Sequence, residues 1–161
     1  MERNNCIKLY RRKGSEVKLI VVATDEEYKL AQKRFKGQKI VKTGVGGINV
    51  IETLKHYPRS LKIVNFGYVG SNNIPIGTEV YVGSCKLYHP NVNYQEPTYI
   101  LDGNVKCYTS NDFVLQTEIK EPCVFDMELA YICALGFKRI ESIKIVSDNL
   151  SLKEYEENIN E

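Results

Sequence analysis

Three acidic residues in the last third of the chain have the types and positions of groups that cleave sugar bonds. Asp126 and Glu128 open an apolar helical pattern, and Asp148 follows directly after a β-branched run. Because open α/β sheets bind ligands at the carboxyl ends of their strands, an acid at a helix start and an acid past a strand end can reach one site. Glycosidic bond cleavage needs one group to donate a proton and another to hold the sugar or activate water. The pattern therefore indicates this chemistry.

A purely structural explanation is sufficient for two candidate acids. In the first turn of a helix, Glu128 offsets the helix macrodipole, which contributes roughly 0.3–1 kcal/mol. Glu27 stands three residues after Thr24 and completes a capping box, which is worth about 0.5–2 kcal/mol. Asp148 differs because Ser151 already caps the helix that follows, so Asp148 is not needed as a helix cap and lies at the sheet edge, where ligands bind. For Asp148, a functional role and a structural role stay equally open.

A glycine-rich segment, Gly44-Val-Gly-Gly47, separates a predicted strand from a predicted helix. Backbone N–H groups in such a turn can face an anion or a polar ligand. The segment is not a dinucleotide fingerprint, because Asn49 occupies the place of the third glycine of GxGxxG, and it lacks the GK[ST] ending of a phosphate-binding loop. A tight turn required only for packing explains the segment equally well.

The two histidines do not indicate nucleophilic catalysis. His56 lies near the end of a predicted helix and His89 at the end of a predicted strand. Neither is accompanied by a serine or cysteine in a pattern that suggests a catalytic triad. Phe113 could present its ring to a planar base, although a buried core phenylalanine is the commoner case.

Composition limits the class of protein. The 161 residues suffice for one domain with its own core, and 43% hydrophobic with 26% charged residues is typical of a globular protein. No apolar run approaches the roughly 18–20 residues that span a bilayer, and the N-terminus lacks the apolar core of a signal peptide. Five scattered cysteines without a CxxC pair favour a reduced, cytoplasmic protein. We therefore expect a single cytoplasmic domain over residues 1–161, with no membrane partner.

Nucleic acid is not an expected partner either. The net charge of +2 is small, whereas nucleic-acid binding needs several phosphate contacts. Arg11-Arg12-Lys13 is the only dense basic cluster in the sequence, and no aromatic residues are interleaved with it. We expect this cluster to face solvent rather than a phosphate backbone.

Alternating strand-like and helix-like patterns predict one α/β domain with a mixed sheet. Nearly continuous apolar runs are typical of strands buried on both faces, and apolar stripes at helical spacing mark the helices between them. A hairpin is predicted over Tyr99–Tyr108, about Asp102-Gly103. The predicted strands are Val17–Ala23, Gln38–Lys42, Leu61–Phe66, Thr78–Tyr88 and Ile140–Val146, and the predicted helices are Asp25–Lys36, Ile48–Tyr57, Met127–Leu135 and one that opens at the Ser151–Glu154 capping box.

Seven segments in a consistent order resemble the nucleoside phosphorylase and nucleosidase superfamily, especially the methylthioadenosine/S-adenosylhomocysteine nucleosidases. They are LIVVATDEEYKL, KTGVGGINV, IVNFGYVGSNNIPIGTEVYVG, YHP, TSNDFV, FDMELAYICA and IKIVSDN, and they cover much of the chain between residues 17 and 149. The resemblance implies a trimmed three-layer α/β/α fold around a central mixed β-sheet. It also implies a small-molecule nucleoside as ligand, no cofactor, no metal, and assembly into a homodimer or a higher homo-oligomer.

The same resemblance implies a role for each matching residue. Asp148 matches the acid that protonates or hydrogen-bonds N7 of the purine, and Glu27 matches the glutamate that activates water. The other matches are substrate contacts: Met127 and Glu128 at the ribose, Phe113 stacking on the purine with Val114 beside it, and Gly44 and Gly46 near the sugar and the attacking water. Asp126 is interpreted instead as the N-terminal acid of the helix.

The implied function is hydrolysis of the N-glycosidic bond of a purine nucleoside or a 5′-thioadenosine. Phosphorolysis, with phosphate as co-substrate, is the alternative, but the position of the usual phosphate loop reads Ala23-Thr-Asp-Glu-Glu27, whose charge would repel phosphate. A non-catalytic nucleoside-binding or interaction protein of the same fold is the second alternative. It is suggested by Tyr68, where relatives usually have a small residue, and by shortening at 90–108, at 113–127 and in the final helix.

Overall fold

The computed structural model describes residues 18–90 and 94–159. The basic cluster at 11–13 and the first residue of the predicted opening strand, Val17, lie outside these ranges. Across the described part of the chain, eight strands form a single mixed sheet that is accompanied by four helices. The predicted α/β class with a mixed sheet is therefore confirmed. No helix in the described ranges is long and apolar enough to cross a membrane.

The elements follow the predicted order, with one additional strand, β7. In chain order they are β1 (Lys18–Val22), α1 (Asp25–Arg34), β2 (Ile40–Lys42), α2 (Gly47–Leu54), β3 (Lys62–Ser71), β4 (Glu79–Leu87), β5 (Tyr99–Ile100), β6 (Val105–Thr109), β7 (Cys123–Asp126), α3 (Leu129–Ala134), β8 (Arg139–Asp148) and α4 (Leu152–Ile159). Because β7 occupies 123–126, α3 begins at Leu129 and not at Met127 as predicted.

A parallel region, formed by β2, β1, β3 and the first part of β8, explains the apolar runs. β1 lies between β2 and β3, and β3 lies between β1 and β8, with all of these neighbours parallel. Leu19 and Val21 of β1 pack in one core cluster with residues of α2 and α3. Ile20 and Val22 point the other way, into a cluster with Ala31 of α1. Helices therefore cover both faces of the parallel region, which gives the three layers expected.

Five strands, β3, β8, β4, β6 and β7, close into a ring. β3 pairs with β8 along its length and with β7 only at its C-terminal end. β8 continues antiparallel onto β4, and parallel pairs of β4 with β6 and of β6 with β7 complete the ring. Gly70 of β3 pairs with both Phe125 of β7 and Asp148 of β8. The closure therefore brings the C-terminal ends of three strands together.

The hairpin predicted over Tyr99–Tyr108 is wrong. β5 pairs antiparallel with β4 and β6 pairs parallel with β4, instead of pairing with each other. The chain does turn at Asp102-Gly103, but this turn takes the chain across β4. At the crossing, Gly103 donates its N–H to the carbonyl of Val82 at 3.0 Å. Because both segments pair with β4, tertiary pairing overrides the local preference for a hairpin.

The ends of β3 and β8 also differ from the prediction. β3 extends to Ser71 rather than Phe66, and β8 extends to Asp148 rather than Val146. The apolar pattern stops earlier because the ends of these strands carry glycine and polar residues, yet their backbones still find partners in the ring. Asp148 is consequently the last residue of a strand and not the residue beyond it.

Candidate active site

A cavity of about 150 Å³ lies where β3, β7 and β8 end and where the segments after β1 and β6 approach them. Carboxyl ends of strands are the usual ligand position in α/β sheets. Five of the lining side chains are carboxylates and four are aromatic rings. The carboxylates are Glu27, Asp112, Asp126, Glu128 and Asp148, and the rings are Tyr68, Phe113, Phe125 and Tyr155.

The structure brings most of the predicted site residues to this one cavity. Glu27, Phe113, Val114, Met127, Glu128 and Asp148 line its wall, whereas Gly44 and Gly46 do not. Val45, between the two glycines, does line it. Gly44 donates its N–H to the carbonyl of Ala23 at 3.1 Å, so the glycine segment supports the cavity more than it forms its surface.

Glu27 reaches the cavity from the first turn of α1. Its N–H donates to Oγ1 of Thr24 at 3.2 Å and its Oε1 accepts from the N–H of Thr24 at 3.2 Å, so the predicted capping box is present. The N–H groups of Ala23 and Tyr68 also donate to its carboxylate, each at 2.8 Å. Burial raises the pKa of Glu27, although Lys144 and these backbone donors oppose the rise. One carboxylate thus combines a structural role with a place in the cavity.

Two glycines of β3 leave the space that two of the acids occupy. A Cβ on Gly67 would collide with Oε2 of Glu27, and a Cβ on Gly70 would lie 2.8 Å from Oδ2 of Asp148. A larger residue at either position would displace a carboxylate from the cavity wall. No local sequence pattern indicates this requirement, because the contact joins segments that are far apart in the chain.

Glu128 directly precedes α3 but directs its side chain to the glycine segment. Its Oε2 accepts the N–H of Gly46 at 2.8 Å, and it makes no capping hydrogen bond to α3. Burial, followed by repulsion from Asp126, raises the pKa of Glu128 to about 7, against the opposing effects of the Gly46 N–H and Lys144. The carboxyl group can therefore change its protonation state near neutral pH.

Asp148 is buried at the end of β8. Its Oδ2 accepts the N–H groups of Leu150 at 2.9 Å and Ser151 at 3.3 Å, and its Oδ1 accepts the hydroxyl of Ser147 at 2.9 Å. The expectation that Asp148 has no capping role is wrong. Oγ of Ser151 accepts the N–H of Glu154, whereas the N–H groups of Leu150 and Ser151, just before α4, donate to Asp148. Burial raises the pKa of Asp148, although these hydrogen bonds oppose the rise.

Asp126 connects the cavity to a buried polar network. Its Oδ2 accepts the N–H groups of Leu129 at 2.7 Å and Glu128 at 3.3 Å, as expected of the N-terminal acid of α3. Its Oδ1 accepts the hydroxyl of Thr109 at 2.6 Å. Its position in the cavity wall was not expected, because the pairing of β7 with β6 that brings Asp126 beside Thr109 has no local sequence signal.

Lys144 is the charged residue that sequence analysis missed. It is fully buried in β8, and its Nζ lies 3.5 Å from Oδ2 of Asp126. Burial opposes its charge, but Asp126 and the other nearby acidic groups outweigh that effect and raise the pKa of Lys144. The available signal was its position between Ile143 and Ile145, because a lone lysine in a β-branched run is unusual in a strand with buried faces.

Aromatic rings also line the cavity. Phe113 packs edge to face against Tyr155 of α4, with 5.5 Å between the ring centroids. The side-chain amide of Asn158 ties α4 to the carbonyl of Ser147 at 3.1 Å. Burial, together with the nearby acids, raises the pKa of Tyr155 to about 12, so its hydroxyl keeps its proton. Tyr68, which was expected to reduce the pocket, also lines this wall.

The histidines lie outside this cavity. His56 is exposed, and Nε2 of His89 lies 2.9 Å from Oε1 of Glu96. Over residues 18–90 and 94–159, no group of three or more His, Cys, Asp or Glu side chains is arranged to hold a metal ion. The carboxylates that line the cavity are the candidate reactive groups.

Solved structures with the same fold include nucleosidases. A variant of a 5′-methylthioadenosine/S-adenosyl homocysteine nucleosidase (MTAN) from Chlamydia trachomatis, bound to MTA, aligns over 90% of both chains. Its TM-score is 0.73 and its sequence identity to this chain is 15%. The 5′-methylthioadenosine/S-adenosyl homocysteine nucleosidase of Helicobacter pylori aligns over 91% of this chain and 92% of its own, with a TM-score of 0.71 and 14% identity.

A futalosine hydrolase from Helicobacter pylori is also similar. It aligns over 89% of this chain and 91% of its own, with a TM-score of 0.72 and 12% identity. No family model and no curated protein sequence matches the chain. The structural likeness shows that the chain has the α/β fold of these nucleosidases, as the sequence resemblance implied.

Proposed function

We propose that this chain hydrolyses the N-glycosidic bond of a purine nucleoside or a 5′-thio-substituted adenosine. The observation that carries the proposal is that Glu27, Glu128 and Asp148, from three separate elements, line one cavity and that burial raises the pKa of each. Proteins of the same fold give further support, because they include an MTAN bound to MTA and an MTAN bound to adenine.

Asp148 is the proposed acid. Cleavage breaks the bond between C1′ of the sugar and N9 of the purine, and the bonding electrons leave with the base. A proton passed from Asp148 to N7 neutralises the charge that develops on the base. Its raised pKa keeps that proton available at higher pH than in an exposed aspartate. Phe113, in the same wall, offers an aromatic face to the purine.

Glu128 is the proposed partner of the sugar. The ribose gains positive charge as the bond breaks, and a carboxylate beside it stabilises that charge. Because the pKa of Glu128 is about 7, part of this group is already ionised at neutral pH and can take this role without a proton transfer. The Gly46 N–H holds Oε2 at 2.8 Å, which fixes the carboxyl group in position. Met127, in the same wall, offers an apolar contact beside it.

Glu27 is the proposed base that activates water. Water adds to C1′ as the purine leaves, and Glu27 accepts the proton that the water loses. Three backbone N–H groups hold its carboxylate and favour the ionised form, in opposition to burial. The proposed reaction requires Asp148 to start protonated and Glu27 to start ionised. It consumes one water and yields a free purine and a free sugar.

Water rather than phosphate is the proposed nucleophile. A bound phosphate needs cationic side chains or several converging N–H groups. This cavity is lined by five carboxylates, and none of its described lining residues is a lysine or an arginine. Lys144 lies nearby, but Asp126 pairs with it.

A screen of nucleosides for base release, with and without phosphate, tests the proposal. We expect release of the purine in the absence of phosphate. Strict dependence on phosphate would indicate phosphorolysis instead. Binding of nucleosides without release of any base would support the non-catalytic alternative.

A further inference from the structure

A second cavity of about 360 Å³ adjoins the candidate active site. The two cavities share the segment Asp112–Val114 in their walls. The first cavity, at about 150 Å³, is smaller than the roughly 300–1,000 Å³ of typical ligand pockets. A nucleoside is larger than this space, so part of a bound nucleoside would extend beyond the rim of the first cavity.

Among the described lining residues, the first cavity has five carboxylates and the second has one, Asp112, which the two cavities share. None of the described residues that line either cavity is a lysine or an arginine. Lys144 is fully buried and lies 3.5 Å from Asp126, which balances its charge. His89 lines the second cavity, but its Nε2 lies 2.9 Å from Glu96, which would balance a proton on this ring.

We propose that the site selects nucleosides with a neutral or positively charged 5′ substituent and rejects those with an anionic one, such as a phosphate or a carboxylate. The inference rests on the proposed function, which puts the nucleoside in the first cavity. An anionic substituent that extends past the rim of the first cavity would approach the carboxylates of that cavity and Asp112, with no lysine or arginine among the described lining residues to offset the repulsion. A cationic substituent would be attracted by the same carboxylates.

Asp112 is the residue that sets this preference. It is exposed, it lines both cavities, and it is not one of the three acids assigned to bond cleavage. Its N–H donates to Oγ of Ser110 at 3.2 Å, which holds the start of the shared segment. Glu118 provides a matched control, because it is an exposed acid of the same loop that lines neither cavity.

Three adenosine derivatives that differ at the 5′ position test the inference: the neutral 5′-methylthio, the cationic 5′-amino and the anionic 5′-phosphate compound. Adenine release and the dissociation constant are measured for each with the full chain. We expect kcat/KM for the neutral and cationic compounds to agree within about tenfold, and the value for the phosphate to be lower by about 100-fold or more. Asp112→Asn should narrow that gap by about tenfold, and Glu118→Gln should leave it unchanged.

The failure of charge selection is distinguishable from the failure of hydrolysis. Equal kcat/KM for the phosphate and methylthio compounds would overturn charge selection and leave hydrolysis intact. If none of the three releases adenine, hydrolysis fails, and the dissociation constants decide: equal or tighter binding of the phosphate, or no binding of any compound, overturns the selection. An unchanged gap in Asp112→Asn would overturn the assignment of that residue.

Discussion

The parallel region and the ring bury their side chains equally well but with different chemistry. β1 buries the apolar residues Leu19 to Val22 between helices on both sides. The ring buries Thr109, Asp126 and Lys144 beside its apolar core. Apolar burial contributes about 25 cal/mol per Å², whereas a buried ion pair must first overcome the desolvation of both charges. The parallel region therefore contributes mainly apolar burial, whereas the ring also holds charged groups at or near the cavity.

The ring tolerates these charges because they compensate one another. Asp126 accepts hydrogen bonds from Thr109 and from the start of α3, and it faces Lys144. In the described ranges, no buried side-chain N or O atom is left without a hydrogen-bond partner. A substitution in this network should therefore lower the free energy of unfolding more than a substitution of similar size in the parallel region.

The largest expected effect is on turnover, from Asp148→Asn in the ring. The asparagine oxygen can still accept the N–H groups of Leu150 and Ser151, but the side chain has no acidic proton for the base. We expect base release to fall by roughly 10²–10⁴-fold, while adenine analogues still bind. Steady-state kinetics and calorimetry measure the two quantities. Asp102→Asn makes the same change at an exposed position, and near-normal turnover of Asp148→Asn would contradict the assignment.

The next largest effect is on stability, from Lys144→Met. Removal of the cation leaves the carboxylate of Asp126 buried without its charge partner, which should lower the free energy of unfolding by about 3–5 kcal/mol. Urea denaturation measures this, with Lys138→Met as the exposed control. Asp126→Asn combined with Lys144→Met should recover part of the loss. If the double variant is as unstable as the sum of the single ones, the pairing explanation is wrong.

The free energy of unfolding should depend on pH because of Glu128, which lies next to the ring. The pKa of Glu128 rises from 4.5 to about 7 in the folded state, with Asp126, Glu27, Lys144 and the Gly46 N–H as the facing groups. Between these pH values the unfolded chain has released the proton and the folded chain retains it, so stability falls as pH rises. The slope is at most about 1.4 kcal/mol per pH unit, and it vanishes below 4.5 and above about 7.

Urea denaturation of Glu128→Gln at several pH values isolates this contribution. Glu27 and Asp148 also have raised pKa values and act in the same direction. The variant should therefore lose less stability than the wild type over this range, without losing the pH dependence entirely. Identical slopes for the two proteins would show that Glu128 ionises equally in the folded and unfolded states.

The smallest effect should come from the parallel region, with Ile63→Val. Ile63 is fully buried in the cluster under α2 and α3, and loss of one methylene should cost about 0.5–1.5 kcal/mol. Because this cluster is separate from the polar network, kcat should not change. Denaturation and kinetics on the same preparation check both parts, and a drop in kcat comparable to that of Asp148→Asn would remove the distinction between the two regions.

The sequence was sufficient for the parallel region and insufficient for the ring. The apolar run of β1 and the capping box at Thr24 are local patterns, and both are present as predicted. The crossing at Gly103, the four-residue strand β7 and the closure of the ring depend on pairings between distant segments. Local propensity carries no information on such pairings, so the hairpin was predicted wrongly and β7 was not predicted.

The candidate site, too, could be predicted from the sequence only in part. The positions of Glu27, Glu128 and Asp148 in one cavity agree with the sequence resemblance. The partners of these acids did not follow from the sequence: the N–H of Gly46 at Glu128, the space at Gly67 for Glu27, and Lys144 at Asp126. Burial is the main cause of the raised pKa of Glu27 and Glu128, and the Gly46 N–H opposes the rise at Glu128. All of these contacts join segments that are far apart in the chain.

Product analysis with 5′-methylthioadenosine in the presence of phosphate distinguishes hydrolysis from phosphorolysis. Mass spectrometry of the products distinguishes a free sugar from a sugar phosphate. We expect adenine and a free methylthio-sugar, at a rate that does not depend on the phosphate concentration. A sugar 1-phosphate as product, or no release of adenine from this or any purine nucleoside, would contradict it.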